Sequence, residues 1–350
     1  MRSCAGTRFV LRIRTAKAIE GRLRSGTTNA AAEELNMVHE AERVLGVLHD
    51  AGVPVLLLKG LALLATTYRR PGLRPMGDID LLIRPDDVER ATEALARADC
   101  RRGAEFVRDD FFPRYYYETE WITQSQRPVR IDLHVRPFRP LRAACTVPDD
   151  ALWDDASRIS VGESPAWIPE PERMLIHLCA HAAFHGCERL IWLYDIHRFV
   201  RQFADRLDWD KFVALTESWR LALPVRTAIR ACAQTLGTSV PRDVEEALAG
   251  GRVSWRDRLV LWQAPHDAER PALHVLTNAV TTPRLRVATG YLAACLGPNR
   301  AHLEQVYPWR HPGWVAAASC WRVLRAATRP LAGLVRLGPQ SALPEAHVRN

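Results

Sequence analysis

Residues Arg74 to Ile83 read R-P-M-G-D-I-D-L-L-I. Asp78 and Asp80 alternate with Ile79, Leu81 and Ile83, and a period of two predicts a β-strand with one buried face. Both carboxylates then leave the same side of that strand. Like charges held this close raise each other's pKa, and a fold that sets them side by side usually supplies a cation, most often Mg²⁺ with its preference for oxygen ligands. A metal held by a D-x-D strand most often serves phosphates. The competing reading is a solvated edge strand with a coincidental D-x-D.

Upstream, Leu35, Val38, Ala41, Leu45 and Leu48 recur at steps of three and four between Asn29 and Asp50, which predicts an amphipathic helix ending near Gly52. The apolar run V-P-V-L-L-L (53–58) predicts a short strand buried on both faces. It leads into Lys59-Gly60, where glycine permits a tight turn and leaves backbone N–H groups open to a phosphate. A helix from about Leu61 to Tyr68 and a loop over 69–77 complete the approach to the D-x-D strand.

Downstream, Pro85-Asp86-Asp87 opens a helix, with Asp86 and Glu89 spaced as a capping box. Residues 115–123 and 129–135 read as two strands joined by a turn at 124–128, a hairpin. The second, V-R-I-D-L-H-V, puts Ile131, Leu133 and Val135 on one face and Arg130, Asp132 and His134 on the other. A third acid is thus displayed on a strand able to lie beside the first. Three carboxylates on neighbouring strands are what two-metal phosphoryl or nucleotidyl transfer requires.

The composition fits this reading. With 350 residues, 47% of them hydrophobic and 25% charged, the chain can bury a large core in two domains, or in one with helical additions. Its net charge of +8 is concentrated at the ends: residues 1–27 carry +6 and residues 306–350 carry +5, leaving −3 for the body. A surface for nucleic acid or anionic lipid therefore belongs to the ends. The eight cysteines are scattered without a C-x-x-C, the pattern of reduced, mostly buried thiols in a cytosolic protein. No apolar run approaches the roughly 18–20 residues that span a bilayer. The Arg-rich start has no secretory apolar segment; it reads as a disordered tail, against a transit peptide. Only three lysines occur, Lys17, Lys59 and Lys211, so a lysine inside a motif is informative.

The second half is predicted to be helical. His177, His181 and His185 fall at i, i+4 and i+8 along one stripe of a helix over 170–186. Zinc would need a fourth ligand that the spacing does not supply, so packed histidines are expected, with His181 or His185 bonded to Asp195 in the next helix. Helices broken at Pro224, Pro241, Pro265 and Pro283 follow. The apolar stretch 313–337 carries spaced arginines; it reads as a helix packed on the protein itself, against one that contacts a membrane surface or a partner.

Four ordered blocks carry a resemblance: L-L-L-K-G-L (56–61), the D-I-D-L-L-I strand (78–83), I-D-L-H (131–134), and L-I-H-L-C-A-H-A-A-F-H-G with R-L-I-W-L-Y-D-I (175–186 and 189–196). Over residues 29–203 they resemble the mostly uncharacterised nucleotidyltransferase family of the DNA polymerase beta-like superfamily. One departure is plain: Lys59-Gly60 stands where that superfamily commonly has a Gly-Ser turn. The resemblance implies an α+β fold, a mixed sheet carrying a metal triad followed by a helical region. The domains expected are a basic tail (1–27), an α/β core (28–165), a helical domain (166–338) and a disordered tail (339–350).

The activity implied is transfer of NMP from an NTP, ATP among them, to an unidentified acceptor in the cytoplasm. Asp78, Asp80 and Asp132 would hold Mg²⁺ or Mn²⁺, with Asp132 helping to deprotonate the acceptor. Lys59 and the Gly60 backbone would hold the triphosphate, and Arg74 would neutralise the leaving pyrophosphate. His134, His181, His185 and Asp195 are candidates for an acceptor pocket. The acceptor classes open are small metabolites, sugars, a protein side chain and tRNA, with the acidic body arguing against long nucleic acids. The alternatives are a catalytically silent nucleotide-binding or regulatory module and a phosphotransferase.

Overall fold

Residues 31–68, 72–103, 111–267 and 270–296 are described by the structure, a computed structural model. Helix α1 (residues 31–50) buries Ala41, Val44, Leu45 and Leu48. Leu35, expected on the same face, is 55% exposed, one turn before that contact begins. The chain turns at Gly52 (φ 71°) into β1 (Leu56–Leu57) and then, without a loop, into α2 (Lys59–Leu63). Lys59 sits at φ 44°, the left-handed region that non-glycine residues seldom occupy. A π-type turn over Leu64–Tyr68 follows.

The D-x-D stretch forms β2 (Ile79–Leu82). Next come α3 (Val88–Arg97), β3 (Cys100–Arg102), α4 (Phe111–Tyr115), β4 (Glu118–Thr123), β5 (Arg130–His134), α5 (Leu141–Thr146), β6 (Ser157–Val161) and β7 (Ser164–Ile168). The seven strands make one mixed sheet in the order β3-β4-β5-β2-β1-β7-β6. Two pairs are parallel, β2 with β5 and β1 with β7. All four residues of β2 are buried, so the strand is covered on both faces and not on one. Short α2 packs against it, and the acid face lies beneath side chains from α2 and β5.

Three local readings are corrected. No capping box forms at Asp86 and Glu89: a 3-10 turn over Pro85–Asp87 precedes α3, and the Asp87 carboxylate pairs with Arg90 instead. The strand read over 115–123 starts only at Glu118, because Phe111–Tyr115 is helical. The β6–β7 hairpin extends the sheet by two strands that sequence periodicity did not indicate.

The helical region comprises α6 (Pro171–Phe184), α7 (Leu190–Phe203), α8 (Trp209–Ser218), α9 (Ala222–Leu236), α10 (Arg242–Gly250), α11 (Trp255–Gln263), α12 (Pro271–Thr281) and α13 (Leu285–Leu296). Helix α6 is central, packing against α7, α8 and α9, and buries nearly its whole surface. The described residues up to Tyr291 form one compact unit. The expected tails at 1–27 and 339–350 and the apolar stretch 313–337 lie outside the described residues. No described helix is long and apolar enough to cross a membrane.

Candidate active site

Strand register assembles the acids. Asp80 on β2 is the direct partner of Asp132 on β5, and Asp132 in turn opposes Glu120 on β4. Neighbouring strands lie roughly 4.8 Å apart, so three carboxylates form a row across one face of the sheet. One rung along, His134 opposes Glu118. Asp78, just before β2, meets Arg130 at the start of β5, and the two form an ion pair.

The cations among these acids are unevenly shared. Lys59 Nζ donates to Asp80 Oδ1 at 2.5 Å, and His134 Nε2 lies 3.0 Å from the same oxygen. Burial alone would raise the Asp80 pKa, but Lys59 and His134 outweigh it and hold the carboxyl far below the usual range. Among the described residues Asp132 is ion-paired with Arg130 alone, Nε lying 3.4 Å from Oδ1, and Arg130 is shared with Asp78 and Glu120. Burial, with Glu118 and Asp80 as like-charged neighbours, pushes Asp132 up to about 7.

Carboxylate oxygens are the donors that Mg²⁺ and Mn²⁺ prefer. A buried acid raised by its acidic neighbours is also short of positive charge, which a divalent ion would supply. By donor chemistry the set fits such an ion. Among the described residues no three His, Cys, Asp or Glu side chains are gathered closely enough to enclose one. Lys59 and Arg130 instead satisfy Asp80 and Asp78.

Arg74 is engaged elsewhere. Its guanidinium donates to both carboxylate oxygens of Asp195 on α7, with Nη2 to Oδ2 at 2.9 Å, and the Tyr68 hydroxyl donates to Asp195 Oδ1 at 2.7 Å. This corrects the expected pairing of Asp195 with His181 or His185: Asp195 is spoken for by a buried arginine and tyrosine. Arg74 nevertheless lines the cleft above the acids. Gly60 is buried directly beneath it; a Cβ there would stand 2.5 Å from Arg74 Nη1 and 2.7 Å from Met76 Sδ. Close approach by these side chains is what requires glycine at that position.

The cleft has a volume of about 650 Å³. Lys59, Asp78, Asp80 and Asp132 line one part of it, and His181, His185 and Trp192 another. His177, the innermost of the histidine stripe, is fully buried with no partner for either ring nitrogen among the described residues, and burial beside Lys59 and His134 lowers it to about 3. Sequence reasoning missed Glu118, Arg130 as a bridging cation, and Trp192. The E-T-E alternation at 118–120 was the available signal, but it points at the acids only once the hairpin register is known.

The description "uncharacterised nucleotidyltransferase" belongs to the protein family whose sequence pattern matches residues 11–237. No curated protein matches the chain. Among solved structures, the antibiotic-resistance factor ANT(2'')-Ia in solution aligns at 13% identity and a TM-score of 0.38, over 53% of this chain and 92% of its own. A crystal structure of ANT(2'')-Ia in complex with adenylyl-2''-tobramycin gives 11%, 0.36, 53% and 97% for the same four quantities. An antigenic nucleotidyltransferase-like protein from Paracoccidioides brasiliensis gives 13%, 0.34, 62% and 94%. The family match covers more than half of the chain, which therefore belongs to the uncharacterised nucleotidyltransferases, transferases of phosphorus-containing groups.

Proposed function

We propose that this protein transfers NMP from an NTP to an acceptor oxygen in a reaction that depends on Mg²⁺ or Mn²⁺. The observation that carries the reading is the pairing of Asp80 with Asp132 on one face of parallel strands, with Asp78 one rung before. Asp78, Asp80 and Asp132 would hold the ion, which when bound neutralises phosphate charge and makes the acceptor hydroxyl more acidic.

The remaining roles fall to the chain itself. Lys59, whose ammonium lies beside Asp80 in the cleft lining, would pair with the triphosphate. Arg74 stays bonded to Asp195 and adds positive potential at the cleft wall, fixed in place before the pyrophosphate charge develops. Asp132 takes the acceptor proton as the acceptor oxygen bonds to the α-phosphorus and the bond to the bridging oxygen breaks, freeing pyrophosphate. His134 holds the Asp80 carboxylate from beneath. The strands supply the acids, and α6 and α7 with the turn between them supply His181, His185 and Trp192 to the cleft lining.

The test is incubation with Mg²⁺ and an NTP labelled on the α- or the γ-phosphate, against a panel of small hydroxylated metabolites, sugars and tRNA. Transfer of α-label with release of pyrophosphate supports the proposal. Transfer of γ-label means phosphoryl transfer, and nucleotide binding without transfer of either label means a silent module.

A further inference from the structure

The cleft has one wall that the acid chemistry does not use. Trp192, in the first turn of α7 and half-buried, presents its indole beside two imidazoles from α6. The ring centroids lie 5.0 Å from His181, edge to face, and 5.1 Å from His185. The guanidinium carbon of exposed Arg189 stands 5.2 Å from the centre of the Trp192 ring. A flat, delocalised cation already lies over that ring at cation–π distance, so the indole face can meet a planar group.

This wall adjoins the triphosphate side of the site. Lys59, bonded to Asp80, shares a small void of about 20 Å³ with His181 and His185. The lining around Asp132 is polar and ionic, with Glu118 and Arg130. A ligand whose phosphates lie at Lys59 thus finds its flat apolar surface at Trp192.

We propose that Trp192 is the stacking platform for the base of the nucleotide donor, with Arg189 closing over the outer face of the base and His181 and His185 at its edge. The inference rests on the NTP-dependent reading above and adds the residue that grips the base. Burial, together with Lys59, keeps both imidazoles uncharged at neutral pH, with His185 lowered to about 4. Uncharged imidazoles can donate and accept at a base edge without repelling Arg189.

The test is titration calorimetry of the full-length protein in Mg²⁺ with each of the four common NTPs and with inorganic tripolyphosphate, which has the charge but no base. Wild type is expected to bind at least one NTP more tightly than tripolyphosphate. Trp192→Leu, which keeps apolar bulk without a flat ring, is expected to weaken that NTP roughly 5- to 150-fold and to leave tripolyphosphate within about twofold. Trp192→Phe retains most of the affinity and shows that the position tolerates change. Equal weakening of NTP and tripolyphosphate, or none, overturns the proposal; so does an unchanged NTP affinity with a raised KM for acceptor, which would make Trp192 an acceptor platform. Wild type that binds neither ligand brings down the nucleotide reading itself, a result distinct from wild type that binds both equally, which removes only the role of Trp192.

Discussion

Asp80 and Asp132 are direct partners on adjacent parallel strands, yet their carboxyls are displaced in opposite directions from the ordinary range. Two cationic or hydrogen-bonding partners converge on Asp80, whereas Asp132 has one arginine that it shares with two other acids. The sheet therefore holds one permanent anion beside a carboxyl that ionises near neutrality. Such a pair suits a site that must take up positive charge and then accept a proton.

Asp132→Asn and Asp80→Asn should separate chemistry from stability. Amide at 132 resembles the protonated acid, so at pH 7 the variant should fold at least as stably as wild type while kcat falls by about 10²- to 10⁴-fold. Amide at 80 strips the counter-charge from the buried Lys59 and should destabilise the fold by about 3–5 kcal/mol as well as abolish turnover. Urea unfolding run beside the NTP assay checks both, and equal destabilisation by the two variants would contradict the assignment of charge.

The pH dependence of stability follows from Asp132. Its pKa is about 7 in the folded protein and roughly 3.9 in an unfolded chain, so between those values the native state holds the extra proton. Stability contributed by that proton is complete below about pH 4 and lost as the pH rises through about 7, with a slope of at most about 1.4 kcal/mol per pH unit. In chelator, the stability of Asp132→Asn minus that of wild type should grow from pH 5 to pH 7 and then level off. A difference independent of pH would show that Asp132 ionises normally.

Gly60→Ala tests the roof of the cleft. The added methyl meets Arg74 Nη1 and Met76 Sδ, and Arg74 cannot give way freely because Asp195 holds it. Overpacking of this kind costs about 1–3 kcal/mol. Thermal unfolding should show the loss, and coupling it with Arg74→Ala, which empties the space, should recover part of the Gly60 term.

Much of this arrangement is legible in the sequence because it is local. Alternation in 78–83 and 129–135 marks β2 and β5 and assigns each residue to a face, and the four motif blocks together indicate the family. What is not legible depends on pairing between distant stretches. Arg74 and Asp195 are 121 residues apart, and each has nearer, chemically sensible partners in the sequence. Glu118 joins the acids only through the β4–β5 register, and β6 and β7 are too exposed to show an alternating pattern. Trp192 reads as one more apolar residue at the start of a helix until α6 brings His181 and His185 beside it.

Arg130 occupies the position of a resident counter-ion, bridging Asp78, Asp132 and Glu120. Ion binding among those acids must compete with its guanidinium. Arg130→Met should therefore tighten Mn²⁺ binding, measured by electron paramagnetic resonance of free Mn²⁺, while lowering the stability of the metal-free protein. Its side chain is 45% exposed, so solvent screens the interaction and the stability change should stay within about 1 kcal/mol. Weaker Mn²⁺ binding in the variant would mean that Arg130 organises the acids for the ion and does not oppose it.

The Arg74–Asp195 pair is the last test, because it links the D-x-D loop to the helical wall. Both side chains are buried, and Tyr68 fills a further site on Asp195. Removing only Asp195 leaves an uncompensated guanidinium at the cleft and should cost about 3–5 kcal/mol; removing only Arg74 strands the carboxylate at similar cost. Replacing both by apolar residues, Arg74→Met with Asp195→Leu, should cost less than either single change, since neither charge is then left alone. If stability alone is at stake, that double variant regains activity along with the fold. If Arg74 also supplies potential to the leaving pyrophosphate, the double variant folds and binds Mn²⁺ normally but keeps a kcat lowered by about 10²-fold or more. Unfolding curves and kcat measured on the four proteins of this cycle decide between the two roles.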